Sequence, residues 1–343
     1  MLDSLRRLMR DLVALFLYYS GFVGVVYFFR RVILHRREVC ILGFHRVLNE
    51  TEFATADSLP GMRIRERTFG DLLEFLKKRF EVKPLNIILK GEEWGSSWRK
   101  PTCILTFDDG WLDNYTTAYP WLEKYDVPAT IFLTTGYIDG QYYPWVEEFV
   151  ASWKDVQFRD RVKSLISGRV QGRFQQVGLQ ETVQFLKAMR AGERETILKQ
   201  LNFEVGDADR RLGSNGMMRW RQIAEMCNGR IEFGAHTVSH PLLTYESDET
   251  VEHELRKAKE EIESQVKKPA WAFAYPNGDR DSRIRQWAQR TGYACAVTTQ
   301  RGWHRRGADR YDIRRILIHE GNVTGTNGKF SEAAFHFTIA PWR

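Results

Sequence analysis

Two short, largely apolar runs, Ile104 to Phe107 and Ile231 to Ala235, each stop at a cluster of ionisable side chains: Asp108-Asp109-Gly110 after the first, His236-Thr237-Val238-Ser239-His240 after the second. Runs of this length and composition read as buried strands. Reactive side chains placed just past the C-terminal ends of strands are the arrangement of an α/β barrel, where the loops at that end carry the chemistry. The rest of the chain keeps the same alternation. Ala129 to Thr134, Trp271 to Tyr275 and Arg315 to Ile318 read as further strands, and Thr68 to Arg79, Tyr115 to Tyr125 and Val251 to Val266 as helices. The first of these helices places Phe69, Leu72, Leu73 and Leu76 on one face. The expected fold class is α/β.

A divalent metal such as zinc takes neutral imidazole nitrogen and carboxylate oxygen, and three protein ligands leave a position for water. His236 and His240 are four apart, so one helical turn or a tight loop aims both rings at one ion. One of the adjacent aspartates completes the triad. The other, leaving the same strand end in a different direction, is free to accept a proton from an attacking water. Hydrolysis is the reaction such a set serves. Each motif alone has an ordinary reading: an Asp-Asp-Gly is often a turn with a helix cap, and a histidine pair is often structural. Their joint occurrence after strands points to a site.

On these motifs the chain resembles the polysaccharide deacetylases of the NodB-homology group, carbohydrate esterase family 4, over roughly residues 39 to 320 with an interruption. The resemblance implies a distorted (β/α) barrel. It implies Asp108 as general base, Asp109, His236 and His240 as ligands of a divalent metal, Zn2+ before Co2+ or Ni2+, and Thr237 as the brace of the histidine loop. The run Ile41-Leu42-Gly43-Phe44-His45-Arg46-Val47 resembles the first barrel strand of the subgroup that deacetylates poly-N-acetylglucosamine, which would put His45 on the floor of the active site. Read from the residue alone, His45 is equally a hydrogen-bonded core histidine.

The family's third motif reads Arg, any residue, Pro, aromatic, Gly; the matching stretch here is Ala274-Tyr275-Pro276-Asn277-Gly278, without the arginine and the aromatic. In the family that arginine holds the catalytic aspartate. Pro276 and Gly278 still shape the turn, and the backbone N–H of Asn277 is placed to help stabilise a tetrahedral oxyanion. The last strand ends in His319, which resembles the family histidine that protonates the departing amine. A carboxylate would hold its tautomer, and Asp309 and Asp312 are both near enough in sequence. Arg314 and Arg315 are the available substitutes for the lost arginine, beside those carboxylates or beside Asp108.

With 343 residues and 43% apolar content the chain is long enough for a barrel with appendages and is not generally disordered. The net charge of +7 is concentrated near the start, where Arg6, Arg7, Arg10, Arg30, Arg31, Arg36 and Arg37 fit lipid headgroups better than a nucleic-acid groove. Between them Leu12 to Phe29 is an uncharged run, so residues 1–37 are expected to form a membrane-associating segment and 38–343 the barrel. The alternatives are a signal peptide, disfavoured because no small-x-small cleavage site follows, and a helix dipping into one leaflet with Ser20 and Gly21 as its bend. A membrane-associated protein of a bacterial-type inner membrane results, with its side open because basic residues flank the run at both ends.

From about 139 to 216 the barrel pattern gives way to a helical insertion, with Phe149, Trp153, Phe158, Val162 and Leu165 as its core contacts. Tyr142, Tyr143 and Trp145 are either stacking surfaces for a glycan or lipid-linked headgroup, or packing. Cys40, Cys103, Cys227 and Cys295 lack the spacing of a zinc site or redox pair and read as buried thiols. His35, His253, His304 and His336 have no site context and read as surface residues. The expected function is metal-dependent removal of N-acetyl groups from a cell-envelope carbohydrate, either a polysaccharide or a polyprenyl-linked sugar. A non-catalytic glycan-binding or scaffold protein on a degenerate barrel is the alternative of a different class. An aspartyl phosphatase would need Asp-x-Asp, and here the carboxylates are adjacent.

Overall fold

The computed structural model describes residues 2–34, 37–90, 100–140, 144–167, 178–201, 216–227 and 230–341. Its centre is a run of parallel strands in the order Glu38–Phe44, Thr102–Phe107, Ala129–Leu133, Ile231–Ala235, Ala272–Ala274 and Cys295–Val297. These strands carry almost no exposed residue, as sheets covered on both faces require.

The sheet curls back on itself. Ile313 bridges Val297 at the last of these strands, and three residues later Ile316 pairs with Leu42 of the first, so the segment 313–317 crosses the gap between the two edges. Side chains alternate across this wall. Val39, Ile41, Ile104, Phe132, Ala274, Val297 and Ile313 fill the interior, while Cys40, Leu42, Phe44, Cys103, Leu105 and Phe107 pack outward against helices such as Glu66–Arg79 and Asp248–Val266. Gly43 belongs to the interior set. A Cβ there would lie 2.8 Å from Leu317 Cδ2, so any larger residue would force the Leu317 side chain of the crossing segment to shift. The result is a distorted α/β barrel whose wall is completed by an irregular strand, Ile316–Leu317, shorter than the run Arg315 to Ile318 suggests.

Between the Ala129–Leu133 and Ile231–Ala235 strands, four helices (Trp145–Ser152, Val156–Ser167, Leu179–Lys187 and Ala191–Gln200) pack around their own apolar centre. Phe149, Phe158 and Val162 are buried in it, with Trp153 and Leu165 against its edge. Tyr142 and Tyr143 lie outside the described residues.

The N-terminal segment departs from one continuous membrane helix. The helix Leu2–Tyr19 stops at Ser20, Gly21 takes φ 77°, and the helix Phe22–Phe28 leaves at a 62° bend. Glycine adopts that left-handed conformation without steric cost, which is why the helix breaks there. No single helix among the described residues is long and apolar enough to cross a membrane. One face of the bent pair is tied to the barrel. Arg7 donates to Thr324 Oγ1 (3.0 Å), Arg10 to the Thr324 carbonyl (3.0 Å), Tyr18 to the Glu332 carboxylate, and Arg30 to Glu38 Oε2 (2.7 Å). The other face leaves Leu12, Phe16, Tyr19, Phe22, Val25 and Phe28 exposed.

Two histidines expected at the surface are inside. His304 is 2% and His336 is 9% exposed; His336 sits among Tyr18, Phe75 and Phe80, where the N-terminal helices meet the barrel. His253 is exposed and His35 lies outside the described residues. All four cysteines are buried and free.

Candidate metal centre and active site

At the C-terminal ends of the strands the two sequence clusters come together. His236 Nε2 and His240 Nε2 lie 3.6 and 3.7 Å from Asp109 Oδ1 and 3.2 Å from each other. Donor atoms held about 2.0–2.2 Å from a tetrahedral ion are roughly 3.3–3.6 Å apart, so these three atoms describe one face of a coordination shell. The donor set of two imidazoles and a carboxylate therefore fits a divalent cation, and Asp109, His236 and His240 are the residues that would hold it.

Local structure aims each ligand. Asp109 has φ 76° and His240 φ 57°, conformations that turn consecutive side chains away from the strand direction. The His236 ring is fixed by its Nδ1, 2.7 Å from the Ala274 carbonyl, which leaves Nε2 toward Asp109 and selects the tautomer a metal needs. Trp111 Nε1 donates to Asp109 Oδ2 (3.0 Å), holding the oxygen opposite the one facing the histidines. Thr237 is fully buried at φ 68°; its hydroxyl donates to the His236 carbonyl and accepts from His240 N (3.0 Å).

One loop support went unread in the sequence. Glu254, on the Asp248–Val266 helix, accepts from Val238 N (2.7 Å), Ser239 N (2.9 Å) and the Ser239 hydroxyl (2.6 Å). Its signal was a carboxylate sharing a helix face with Val251, Leu255 and Ala258, a position where a charge survives only with partners.

Asp108 points away from the triad. Arg315 grips it with two bonds, Nη1 to Oδ1 and Nη2 to Oδ2, both 2.7 Å, and both side chains are almost inaccessible. Arg315 is itself fixed by Thr106 Oγ1 (3.1 Å) and the Thr298 carbonyl (3.0 Å). Burial alone would raise the Asp108 carboxyl; the guanidinium outweighs it and holds the group well below the usual carboxylate range. Arg315, rather than the exposed Arg314, occupies the Asp108 neighbourhood that the altered third motif left empty.

His45 Nε2 stands 3.9 Å from Asp108 Oδ2, and burial lowers its pKa despite the neighbouring carboxylates. Its segment is anchored next door, where Arg46 donates to Asp113 Oδ2 (2.9 Å) and Asn114 to the His45 carbonyl (2.8 Å). Asn277, at φ 58°, lines the same cavity as His45, Asp108, Asp109, His236 and His240, with Pro276 buried behind it.

His319 is placed differently from the expectation. Neither aspartate near it in sequence is its partner: Asp309 is bound by Arg285 and Tyr311 N, and Asp312 by Arg280. Both carboxylates line a cavity separate from that of the triad, where arginines bind them. His319 Nδ1 is buried without a hydrogen bond among the described residues. Burial, then Arg10 and His45, lower its pKa to about 4, so it rests neutral at pH 7.

Two groups in the cavity come from the insertion. Glu147 and Lys187 line it beside the triad, and no strand-end pattern announced them.

A family model described as polysaccharide deacetylase matches residues 96–296, and the chain belongs to that family. It is 21% identical over 238 residues to YxkH of Bacillus subtilis (strain 168), which carries the name of a polysaccharide deacetylase; the match covers 68% of this chain, and the chain spans 59% of that relative's length. Among solved structures, the Streptococcus pyogenes deacetylase PplD in complex with acetate superposes with a TM-score of 0.55 at 22% identity, covering 84% of this chain and 95% of that one. The de-N-acetylase from Aggregatibacter actinomycetemcomitans gives 0.54 at 17% identity, covering 85% and 98%. Likeness at these identities speaks for the barrel and its elaborations.

Proposed function

We propose that this chain is a metal-dependent hydrolase that removes N-acetyl groups from a cell-envelope carbohydrate. The observation that carries the reading is the division of two adjacent aspartates: Asp109 joins the two imidazoles, and Asp108, turned to Arg315, stays outside that cluster. A divalent cation in the triad, with zinc the first choice and cobalt or nickel alternatives, would polarise the acetamide carbonyl and favour ionisation of the attacking water. Asp108 takes the proton of that water, and Arg315 keeps its carboxylate ionised and oriented. The Asn277 N–H donates to the carbonyl oxygen as charge develops there. His319 delivers a proton to the departing amine. Because it rests neutral, it must collect that proton during the reaction before passing it on.

The N-terminal helices support attachment that lies on a membrane rather than spanning it. Their exposed apolar face, with Leu12, Phe16, Tyr19, Phe22, Val25 and Phe28, is opposite the one bonded to the barrel. Arg10 of the same segment stands near His319, so this attachment would bring the catalytic rim close to the lipid surface and favour a polyprenyl-linked sugar over a free polymer.

The test is acetate release from N-acetylated polysaccharides, oligosaccharides and polyprenyl-linked sugars, each with zinc, cobalt or nickel. Release from none of them, with metal bound, would favour the non-catalytic glycan-binding reading. Flotation with anionic vesicles tests the attachment. Phe16→Ser combined with Phe28→Ser should abolish it, and unchanged flotation would remove the lipid from the proposal.

A further inference from the structure

We propose that Glu147 is a substrate-positioning residue that accepts hydrogen bonds from the ring hydroxyls of the N-acetylated sugar, with Lys187 beside it, so that the helical insertion selects the sugar while the barrel performs the chemistry. The inference rests on the hydrolase reading above.

Glu147 lies in the first turn of the Trp145–Ser152 helix and is 4% exposed, yet its side chain lines the catalytic cavity. Among the described residues no other residue donates a hydrogen bond to its carboxylate and none forms an ion pair with it; only its own backbone N–H acts on it. Buried polar groups are nearly always paired, and a buried carboxylate left alone is costly. A group kept in that state at the wall of a cavity is satisfied by what enters the cavity. Glu147 is not a fourth ligand, because the cluster of donor atoms close enough to share an ion comprises Asp109, His236 and His240 alone among the described residues.

The surroundings define what enters. Pro144, Trp145 and Val146 immediately precede Glu147 and supply an apolar wall, against which the C–H face of a sugar ring packs while its hydroxyl edge reaches a carboxylate. Lys187, the last residue of the Leu179–Lys187 helix, faces the same space and attracts Glu147 electrostatically. The carboxyl and the ammonium at one wall offset each other, which suits a neutral hydroxylated hexosamine unit better than one carrying a uronate. Burial, then the Asp109 charge, raise the Glu147 carboxyl to about 7. Both of its protonation states can hydrogen-bond a hydroxyl.

The experiment compares the zinc-loaded wild type with Glu147→Gln, Glu147→Ala and Lys187→Met on two substrates: an N-acetylglucosamine tetrasaccharide and a nitrophenyl acetate, which has no sugar. The ratio of their kcat/KM values should fall at least about tenfold in Glu147→Ala, mainly through KM of the glycan, and less in Glu147→Gln, which keeps an acceptor oxygen. Zinc affinity, measured by titration of the apoprotein, should move less than about twofold. A ratio that stays within twofold would make Glu147 a packing residue, and a joint loss of zinc affinity and of both activities would place it in the metal machinery. Either result overturns the proposal. If the wild type hydrolyses neither substrate, the hydrolase reading fails, and calorimetric binding of the tetrasaccharide decides this inference separately: equal affinity for wild type and Glu147→Ala would end it.

Discussion

Arg315 reaches Asp108 from 207 residues further along the chain, with two bonds of 2.7 Å, and does so from the segment that closes the barrel. The arginine expected from the third motif has been replaced by Ala274, whose carbonyl instead fixes the His236 ring. The arginine of that motif is absent here, and a different wall of the same barrel places a guanidinium on Asp108. Breaking a buried pair of this kind typically costs about 3–5 kcal/mol, because one charge is left without a partner. Arg315→Met should destabilise the protein by that order. It should also raise the pKa of Asp108, moving the acidic limb of the pH-rate profile to higher pH. Arg314→Met, altering an exposed side chain, should move neither. Denaturant melts and pH-rate profiles of the two variants check this, and equal behaviour of both would remove the role given to Arg315.

The adjacent aspartates should separate by metal content. Asp109→Asn or His240→Gln should release the ion and acetate production together. Asp108→Asn should keep roughly one metal per chain and lose on the order of 10²–10⁴ in rate, the usual contribution of a positioned base. Metal analysis beside acetate assays distinguishes them; a metal-free Asp108→Asn protein would contradict the division.

For His319 the informative variable is the leaving group. An amine needs a proton to depart and a nitrophenolate does not, so His319→Asn should slow amide hydrolysis far more than ester hydrolysis. Equal losses on the two would assign His319 to structure.

Glu254 should act through the loop it holds. Glu254→Ala leaves two backbone N–H groups without their acceptor, a loss of about 1–3 kcal/mol for each unsatisfied group, and frees the segment carrying His240. Weaker zinc binding, about 10–100-fold, is expected. Unaltered metal affinity with reduced stability would confine Glu254 to folding.

His336 ties stability to pH at the junction with the N-terminal helices. Burial, then Arg79, lower its pKa to about 4. The unfolded chain therefore binds a proton below about 6.5 that the folded protein refuses until pH 4. Stability is full above that window and falls as pH drops through it, by at most roughly 1.4 kcal/mol per unit. His336→Phe should flatten this slope in urea melts at pH 7 and 5. Parallel slopes would show that other groups govern the acid response.

The site was legible where its chemistry is local. Asp108-Asp109 and the histidine pair follow their strands directly, so a strand end and two side chains could be read together. Arg315 required a finer signal. Along the closing segment Ile316 and Ile318 pack outward, while Ile313 and Leu317 face inward. That period of two puts Arg315 inside and Arg314 outside, a distinction carried by the alternation itself. Asp309 and Asp312 looked like partners of His319 through nearness in sequence alone; Arg285 and Arg280, from a separate helix and loop, hold them elsewhere.

Sequence by itself determined the barrel's strands, the donor types at their ends and the helical character of the insertion, because apolar runs, adjacent carboxylates and spaced imidazoles are properties of short stretches. Tertiary structure alone decided that Glu147 and Lys187 enter the cavity and that His336 is buried. Those outcomes depend on which surfaces are brought together when the sheet curls. Contacts between residues hundreds of positions apart are set by packing geometry, which no local pattern encodes.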